Sequence, residues 1–329
     1  MGQQQALTGR VTVKQLIGGG PVGDVYRVGQ VQRQTGKNGK DFLRVSLIDM
    51  TGQITAMVWD EVDRLADVFI PGHDIYVWGS SENNPQFGPQ VKVRDARPAT
   101  PDEYDSAALE EQPQFPLNEM ISDYRQLVQS IKQPHLSALL EALLGEDTAA
   151  WEQFRDAPAA KTIHHAYKHG LLEHTLTVAK AVSAAAVIFP GIDHDLAVTS
   201  ALLHDIGKLD AYATTDGVLD FTTDGRLQGE IPLGYFRIRN AIAAIDGFPP
   251  ELAQSVAHIQ LSHHGKLEHG SPVAPVMREA VLVHAMDNLG GTLGSFDRLE
   301  KALAPDTAWS QHDRAVGGFA YFGHSATDN

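Results

Sequence analysis

The segment LLHDIGK, residues 202–208, stands at the centre of the chain's histidine-rich half. Three motifs flank it: HHAYKHGLLEHT at residues 164–175, SHHGK at 262–266 and HAMDN at 284–288. Residues 164–288 hold eleven of the 15 histidines. Imidazole nitrogens and carboxylate oxygens suit borderline divalent metals, and His204 and Asp205 offer one of each at adjacent positions. A lone histidine is more often a helix cap or a polar filler, but the ordered set predicts a metal site.

Around these motifs, apolar residues recur with the period of an α-helix. The pattern predicts amphipathic helices at residues 117–131 and 135–144, and further helices near 170–188, 195–207, 232–246, 250–263 and 275–299. Asp193 is an N-cap signal for the helix near 195–207. Pro249-Pro250 is expected to begin the helix near 250–263, and Gly265 to end it. We therefore expect an all-α domain over residues 117–303, helical throughout, followed by a C-terminal tail over residues 304–329.

The first hundred residues have a different period, which is typical of β-strands. Five alternating or apolar runs predict strands at residues 24–34, 40–50, 53–60, 74–80 and 90–97. Turn signals separate them at residues 36–39, 49–52 and 71–72, and a short helix is expected from about Glu61 to Val68. Five strands with a helix between the third and fourth predict an all-β OB-fold barrel over residues 1–98.

From Pro98 to Pro116 the chain has four prolines, five acidic residues and no lysine or arginine. Such a segment buries too little apolar surface to order itself independently, so residues 99–116 are predicted to be an acidic linker. The chain's 329 residues also exceed the length at which one core usually suffices, which favours two domains.

Composition excludes several classes of protein. There is no cysteine, so disulfides and thiolate ligands are excluded and a metal must be held by nitrogen and oxygen donors. Neither a signal peptide nor a membrane-spanning run is recognised, which predicts a cytoplasmic protein without a membrane partner. The net charge of -15 is carried almost wholly beyond residue 100, because residues 1–100 hold eleven basic and ten acidic side chains. The negative net charge of the whole chain is therefore compatible with a local basic groove on the barrel.

The order of the motifs resembles the HD superfamily of metal-dependent phosphohydrolases, whose ligands are a histidine, a His-Asp pair and a distant aspartate on successive helices. Here those residues are His174, His204, Asp205 and Asp287. Residues 10–300 are more closely similar to the YhaM-type 3′-to-5′ exoribonucleases, which join an OB-fold to an HD domain. That resemblance implies single-stranded RNA as the substrate, 3′-to-5′ polarity and Mn²⁺ as the favoured metal. Fe²⁺ and Co²⁺ stay open, because N/O ligands alone do not separate these cations.

Further residues extend the predicted centre. After LQG, where the family is expected to carry a histidine, this chain has Glu230, which is either a metal donor or an exposed loop acid. His263 and His264 raise the number of ligands above that needed for one ion, which indicates two ions; alternatively, only one of this pair is functional. His284 shares a helix face with Asp287 and is expected to support the ligands rather than bind metal.

Catalytic roles are assigned to Asp205, Lys208 and His264. Lys208 follows His204 by one helical turn and is expected to face the same phosphate, although a surface lysine is the alternative. His165 and His169 precede the first ligand helix, where they either meet a phosphate or cap the helix locally.

Single strands bind OB-folds through aromatic stacking and cations. Among the barrel's cations, Arg44, Lys92 and Arg94 are the predicted substrate contacts. Strand alternation is expected to turn about half of the aromatics inward. The aromatics concerned are Phe42, Trp59, Tyr76, Trp78 and Phe87.

These features predict a metal-dependent 3′-to-5′ exoribonuclease, with the barrel holding single-stranded RNA while the helical domain hydrolyses the terminal phosphodiester. DNA tolerance and oligomeric state, including a homo-oligomer, stay open. One alternative is an HD-type nucleotide phosphohydrolase or cyclic-dinucleotide phosphodiesterase, although SHHGKLEHGSP lacks the Gly-Tyr-Pro continuation of one cyclic-dinucleotide branch. A non-catalytic RNA-binding protein is the other alternative.

Overall fold

The computed structural model describes residues 10–36, 39–84, 87–109, 112–160, 167–215, 218–303 and 307–323. The chain divides into two compact units. One unit contains the described residues up to Gln112, Val218 and those from Ser295 onward. The other contains the described residues from Pro113 to Thr215 and from Leu219 to Gly294. The domain boundaries at residues 98, 116 and 303 stay predictions.

The N-terminal strands form a closed five-stranded barrel, as the OB-fold prediction requires. The strands are β1 (Gly20–Thr35), β2 (Asp41–Asp49), β3 (Gly52–Val58), β4 (Asp74–Asn84) and β5 (Gly88–Pro98). Their spatial order is β1-β2-β3-β5-β4, and β4 pairs with β1 to close the barrel. β3 and β5 run parallel, whereas the other neighbouring pairs are antiparallel. Helix α1 (Val13–Leu16) precedes the barrel, and α2 (Val62–Ala66) lies between β3 and β4.

Aliphatic side chains, together with Tyr26 and Phe69, fill the barrel core. The five aromatics named as candidates for base stacking are not part of this core. Along β2, Leu43, Val45 and Leu47 are buried while the intervening Arg44 is exposed. The expectation that half of the five barrel aromatics point inward is therefore wrong: Trp59, Trp78 and Phe87 are exposed, and Phe42 and Tyr76 are half-buried. The reason is parity, because each aromatic within a strand falls on the positions opposite to the buried aliphatic set.

The second unit is built from helices around one apolar core. Its helices are α3 (Leu117–Ser130), α4 (Pro134–Leu144), α5 (Ala149–Asp156), α6 (Gly170–Ile188), α7 (His194–Leu203), α8 (Lys208–Ala211), α9 (Thr223–Gln228), α10 (Glu230–Ala243), α11 (Pro250–Ser262) and α12 (Arg278–Lys301). α12 continues beyond Gly294 into the residues assigned to the other unit. The predicted helices agree with the observed ones to within a few residues. Leu139, Leu172, Leu202 and Ile259 are fully buried in the shared core.

The expectation of a unit that is helical throughout is wrong at one place. Two short strands, β6 (Tyr212–Thr215) and β7 (Val218–Phe221), pair as a separate two-stranded sheet between α8 and α9. The sequence contains the signal for it, because Asp216-Gly217 between two runs rich in β-branched and aromatic residues is typical of a two-residue hairpin.

Helix α6 is long and apolar enough to cross a membrane by length and composition alone. Its most apolar window is 56% buried within the structure. Leu172, Leu176 and Val182 of this helix belong to the apolar core. We therefore interpret α6 as a core helix of its domain.

Part of the predicted linker packs on the barrel. The amide of Met50 donates to the carbonyl of Ala108 at 3.1 Å, and Tyr104 donates to Asp74 at 2.8 Å. Leu109 is fully buried. Residues 99–109 therefore pack against the barrel, which supplies the apolar surface that they lack themselves. Their role as a linker stays a prediction.

The described part of the tail also has a small core of its own. Phe322 and Ala320 pack with Leu299, near the end of α12, and Phe296 lies beside them. The tail therefore folds back on the last turns of α12.

Candidate metal centre

The ends of several helices converge on one cluster of imidazoles and carboxylates. His174 lies in the second turn of α6, and His204 and Asp205 directly follow α7. His263 follows the last residue of α11, and Asp287 lies within α12. Packing of these helices around the shared core brings together residues that are far apart in the chain.

Four of the predicted ligands form the first half of the cluster. His174 Nε2 lies 3.2 Å from His204 Nε2, 3.3 Å from Asp205 Oδ2 and 3.2 Å from Asp287 Oδ1. His204 Nε2 lies 3.3 Å from Asp205 Oδ2 and 3.7 Å from Asp287 Oδ1. Two nitrogens and two oxygens at such separations could bind a divalent cation.

A second group of donors shares Asp205 with the first. Donor atoms of His174, His204 and Asp205 lie within 4.8 Å of one another, and so do those of Asp205, His263 and His264. Since one carboxylate can bridge two cations through its two oxygens, this arrangement fits two neighbouring ions. The structure therefore brings together all the predicted histidine and aspartate ligands.

Backbone carbonyls fix the tautomers of three of these histidines. Nδ1 of His204 lies 2.7 Å from the carbonyl oxygen of Ala201, and Nδ1 of His263 lies 2.8 Å from that of Gln260. His264 Nδ1 lies 2.8 Å from the carbonyl oxygen of His269. A carbonyl only accepts, so each Nδ1 carries the proton and each Nε2 keeps its lone pair for a metal.

Within the described ranges, two buried metal-binding atoms of the cluster have no hydrogen-bond partner, namely Asp205 Oδ1 and His263 Nε2. A buried acceptor without a partner is costly, and a cation bound by the cluster would satisfy both atoms. The residues present therefore fit a divalent metal with N/O ligands.

Electrostatics at the cluster favour added positive charge. Burial alone would lower the pKa of His174, but hydrogen bonds and charges from Asp205 and Asp287 raise it to about 9. Burial opposes ionisation of both carboxyls, yet Lys208 and the two histidines hold the pKa of Asp205 well below its usual range, and His174 and His204 hold that of Asp287 below its usual range. Burial, reinforced by the neighbouring imidazoles, lowers the pKa of His263 to about 3, so this ring is a neutral donor at physiological pH.

Lys208 and Glu230 lie beside the cluster. Lys208 Nζ is 3.0 Å from Asp205 Oδ2 and 3.7 Å from Glu230 Oε1, and its side chain is only 14% exposed. Glu230 Oε1 is also 3.7 Å from His264 Nε2. Lys208 is therefore not an ordinary surface lysine, and Glu230 begins α10 beside the centre instead of lying in an exposed loop.

Tyr212 is a residue of this region that sequence reasoning missed. Burial and the negative charge of Glu230 raise the pKa of the Tyr212 phenol to about 12. The signal available in the sequence was weak, since Tyr212 lies four residues after Lys208 in a segment read as helical.

His284 contacts the backbone of the paired histidines His263 and His264. Its Nδ1 donates to the carbonyl oxygen of His263 at 2.8 Å. The turn after the pair requires Gly265, which has a φ of +78° and whose Cβ, if present, would lie 2.3 Å from the His284 ring. His284 therefore holds the backbone that presents His263 and His264.

Substitution of His284 by alanine is expected to weaken metal binding by about 10-fold, because residues that orient ligands typically contribute 10–100-fold to metal affinity. Titration of the metal-free protein with Mn²⁺, followed by calorimetry, measures the effect. His258→Ala is the matched control, since that half-buried ring accepts from the amide of Val276 and belongs to neither ligand group. An unchanged affinity in His284→Ala would show that the hydrogen bond to His263 has no positioning role.

Of the two predicted phosphate-binding histidines that precede α6, the structure describes only His169. His165 lies outside the described residues. The ring of His169 is 15% exposed, and its Nδ1 donates to the carbonyl oxygen of Arg155 at 2.7 Å. Its Nδ1 also lies 3.3 Å from Asp156. These contacts are those of a local cap that ties the start of α6 to the end of α5, and phosphate binding by His169 stays a prediction.

The barrel carries its predicted substrate cations on its outer face. Arg44, Lys92 and Arg94 are exposed, and within the described ranges none of them has an acidic partner. Arg44 pairs in register with Met57 of β3, which in turn pairs with Lys92 of β5, so Arg44 and Lys92 lie in one row across three strands. Arg94 lies two residues further along β5. By contrast, Arg33 is held by Asp41 and Asp63 at 2.8 and 2.7 Å.

Aromatic rings flank that row. Phe42, two residues before Arg44 on β2, stacks on Trp59 with ring centroids 4.6 Å apart and planes inclined by 30°. Trp59 is 49% exposed. Exposed rings beside unpaired cations are the features by which barrels of this kind bind single strands.

Comparison with known proteins agrees with this geometry. Residues 171–291 match the HD domain family. The chain is 30% identical over 270 residues to the 3′-5′ exoribonuclease YhaM of Bacillus subtilis (strain 168), covering 82% of this chain and 84% of the relative. This chain belongs to the YhaM family. A YhaM of Geobacillus sp. (strain WCH70) is 30% identical over 86% of both chains, and one of Halalkalibacterium halodurans is 28% identical over 90% of this chain and 91% of the relative.

Membership of the YhaM family confirms the recognition made from the motif order, and the barrel followed by a helical HD region confirms the predicted fold class. The matched region spans every proposed metal ligand from His174 to Asp287. The roles of individual residues stay predictions.

Proposed function

We propose that this protein is a metal-dependent 3′-to-5′ exoribonuclease that acts on single-stranded RNA. The observation that carries the proposal is the pair of donor groups sharing Asp205, in an HD domain whose YhaM-family relatives are named 3′-5′ exoribonucleases. Hydrolysis of a phosphodiester is chemistry that such a centre can perform.

In this proposal, His174, His204, Asp205 and Asp287 bind one cation, and Asp205, His263 and His264 bind the second, with Glu230 beside it. Bound divalent cations would supply an activated water and neutralise charge on the phosphoryl oxygens. We favour Mn²⁺ because of the family resemblance, with Fe²⁺ and Co²⁺ as the competing cations.

Lys208 is proposed as the catalytic cation supplied by the protein itself. Its ammonium group is nearly buried between Asp205 and Glu230, so it is already oriented before substrate arrives. A fixed charge in a poorly solvated site stabilises developing negative charge on a phosphoryl oxygen more strongly than one in water. His264, which is 26% exposed, is the ligand placed to contact the substrate as well.

The barrel is proposed to hold the RNA strand along the row of Arg44 and Lys92, with Arg94 further along β5. Phosphates would track these cations while bases stack on exposed rings such as Trp59. This binding is independent of sequence, which suits an enzyme that shortens many different RNAs.

Double substitution of Arg44 and Lys92 by alanine is expected to weaken RNA binding and to flatten its salt dependence. Loss of two phosphate contacts should lower the slope of log affinity against log salt by about 1.4, at about 0.7 per phosphate on a single strand. Fluorescence anisotropy with an oligoribonucleotide at several salt concentrations measures this slope. Arg33→Ala is the control, because Arg33 already pairs with Asp41 and Asp63. A slope equal to that of the wild type would contradict the proposed track.

Digestion of a 5′-labelled oligoribonucleotide in the presence of Mn²⁺ tests the activity itself. The proposal predicts a ladder of shortened, 5′-labelled products that appears only with metal. Hydrolysis of free or cyclic nucleotides with the oligonucleotide left intact would favour a small-nucleotide phosphohydrolase instead. Binding without hydrolysis, together with an absence of bound metal, would favour a non-catalytic RNA-binding protein.

A further inference from the structure

A cleft opens beside the metal centre, next to Lys208. It has a volume of about 620 Å³ and is lined by the end of α5, by α8 and by the β6–β7 hairpin. Sites for small ligands generally measure about 300–1,000 Å³, so a nucleoside fits in this space. Lys208 lines the cleft, and its Nζ lies 3.0 Å from Asp205, so this one side chain connects the cleft with the cluster of candidate metal ligands.

One wall of this cleft is aromatic. Tyr212 lines it, and the Tyr212 ring packs against Phe221 with centroids 4.7 Å apart and planes inclined by 33°. The guanidinium of Arg226 lies 5.8 Å from the centre of the Phe221 ring and pairs with Asp220. Phe221 packs directly against the Tyr212 ring, and Arg226 packs on Phe221. These contacts favour a fixed orientation of the Tyr212 ring.

The charges around the cleft favour a neutral, flat group in its interior. Among the lining carboxylates, Asp210 is paired with Arg237 at 2.6 Å and Asp156 with Arg155 at 2.7 Å. Asp224, the third, accepts a hydrogen bond from the amide of Gln228 at 3.1 Å. The acids line the cleft, whereas the arginines that pair with Asp210 and Asp156 are not among its lining residues, so a phosphate is disfavoured in the interior. Lys208 attracts a phosphate at the end nearest the candidate ligands.

We propose that this cleft receives the 3′-terminal nucleobase of the RNA, which stacks on the ring of Tyr212. The inference rests on the proposed exoribonuclease function. With the base on Tyr212, the phosphate of the terminal nucleotide lies towards Lys208 and the metal donors. Because every base has a π-face, stacking selects for the presence of a terminal base and not for its identity.

A double-mutant cycle tests this contact. The rate of release of the first nucleotide is measured for wild type and Tyr212→Ala, each on an oligoribonucleotide with a normal 3′-terminal base and on one whose 3′-terminal nucleotide is abasic. Removing the base should slow the wild type by about 10-fold and leave the rate of Tyr212→Ala unchanged, since stacking of one base contributes about that much. Tyr212→Phe keeps the ring and should keep the dependence of the rate on the terminal base.

Phe189→Ala is the matched control, because Phe189 is 57% exposed at the end of α6 and is not among the residues that line the cleft. If Tyr212→Ala lowers the melting temperature of the protein, Tyr212→Leu takes its place in the cycle, because leucine keeps apolar volume but has no π-face. If removal of the terminal base slows the wild type and Tyr212→Ala by the same factor, the stacking inference is overturned, while the proposed exoribonuclease function is unaffected. A wild-type protein that releases no nucleotide from either RNA overturns the proposed function, and this inference with it.

Discussion

Replacement of Asp205 by asparagine is expected to abolish hydrolysis of RNA while leaving RNA binding intact. Asp205 is the one residue common to both donor groups, so its loss disturbs both proposed ions. We expect kcat to fall by at least about 10³-fold, since removal of a single oriented electrostatic group already costs about 10²–10³. Single-turnover digestion of 5′-labelled RNA measures the loss, and anisotropy measures binding.

Asparagine is preferred to alanine in this experiment because Asp205 is buried beside Lys208 and two histidines. Removing one partner from such a buried set costs about 3–5 kcal/mol in stability, and an isosteric side chain avoids the added cavity. Asp123→Asn serves as the control, since Asp123 pairs with Lys180 in a partly exposed ion pair. Rapid hydrolysis by folded Asp205→Asn would contradict the proposed centre.

Substitution of Lys208 by alanine is expected to lower kcat by about 100-fold without loss of bound metal. The ammonium group lies between Asp205 and Glu230, so it contributes charge near the substrate phosphate while the ligands themselves stay in place. The distinguishing measurement is metal content determined on the same sample as kcat. Lys266→Ala is the matched control, because Lys266 is 64% exposed and lies near Glu268 at the surface.

Two outcomes would count against this role of Lys208. Unchanged kcat in Lys208→Ala would show that the lysine only neutralises Asp205. Loss of metal together with activity would show that it acts through the ligands and not on the substrate.

The barrel and the metal ligands could be predicted from the sequence because their signals are local or ordered. Alternation of Leu43, Val45 and Leu47 with polar residues identifies a strand with one buried face. The HD pair and the histidine motifs come in an order that predicts the candidate ligands, and the structure brings those side chains together. Composition alone excluded thiolate ligands.

Features that depend on packing could not be predicted in the same way. The parity of the barrel aromatics was misjudged, because the general rule of alternation does not say which parity Phe42 or Tyr76 takes. The position of Tyr212 in the wall of a cleft depends on the contact of its ring with Phe221 and on the packing of segments that are distant in the chain. Gly265 was interpreted as a helix stop, whereas the structure shows that it also makes room for the ring of His284.

Elemental analysis of protein loaded with Mn²⁺ and freed of excess metal tests the central claim most directly, namely that two donor groups share Asp205. The account predicts two ions per chain in the wild type and fewer than one in Asp205→Asn, because the substitution removes a ligand from each group. A wild-type protein that binds no metal, or an Asp205→Asn protein that retains two ions, would contradict it.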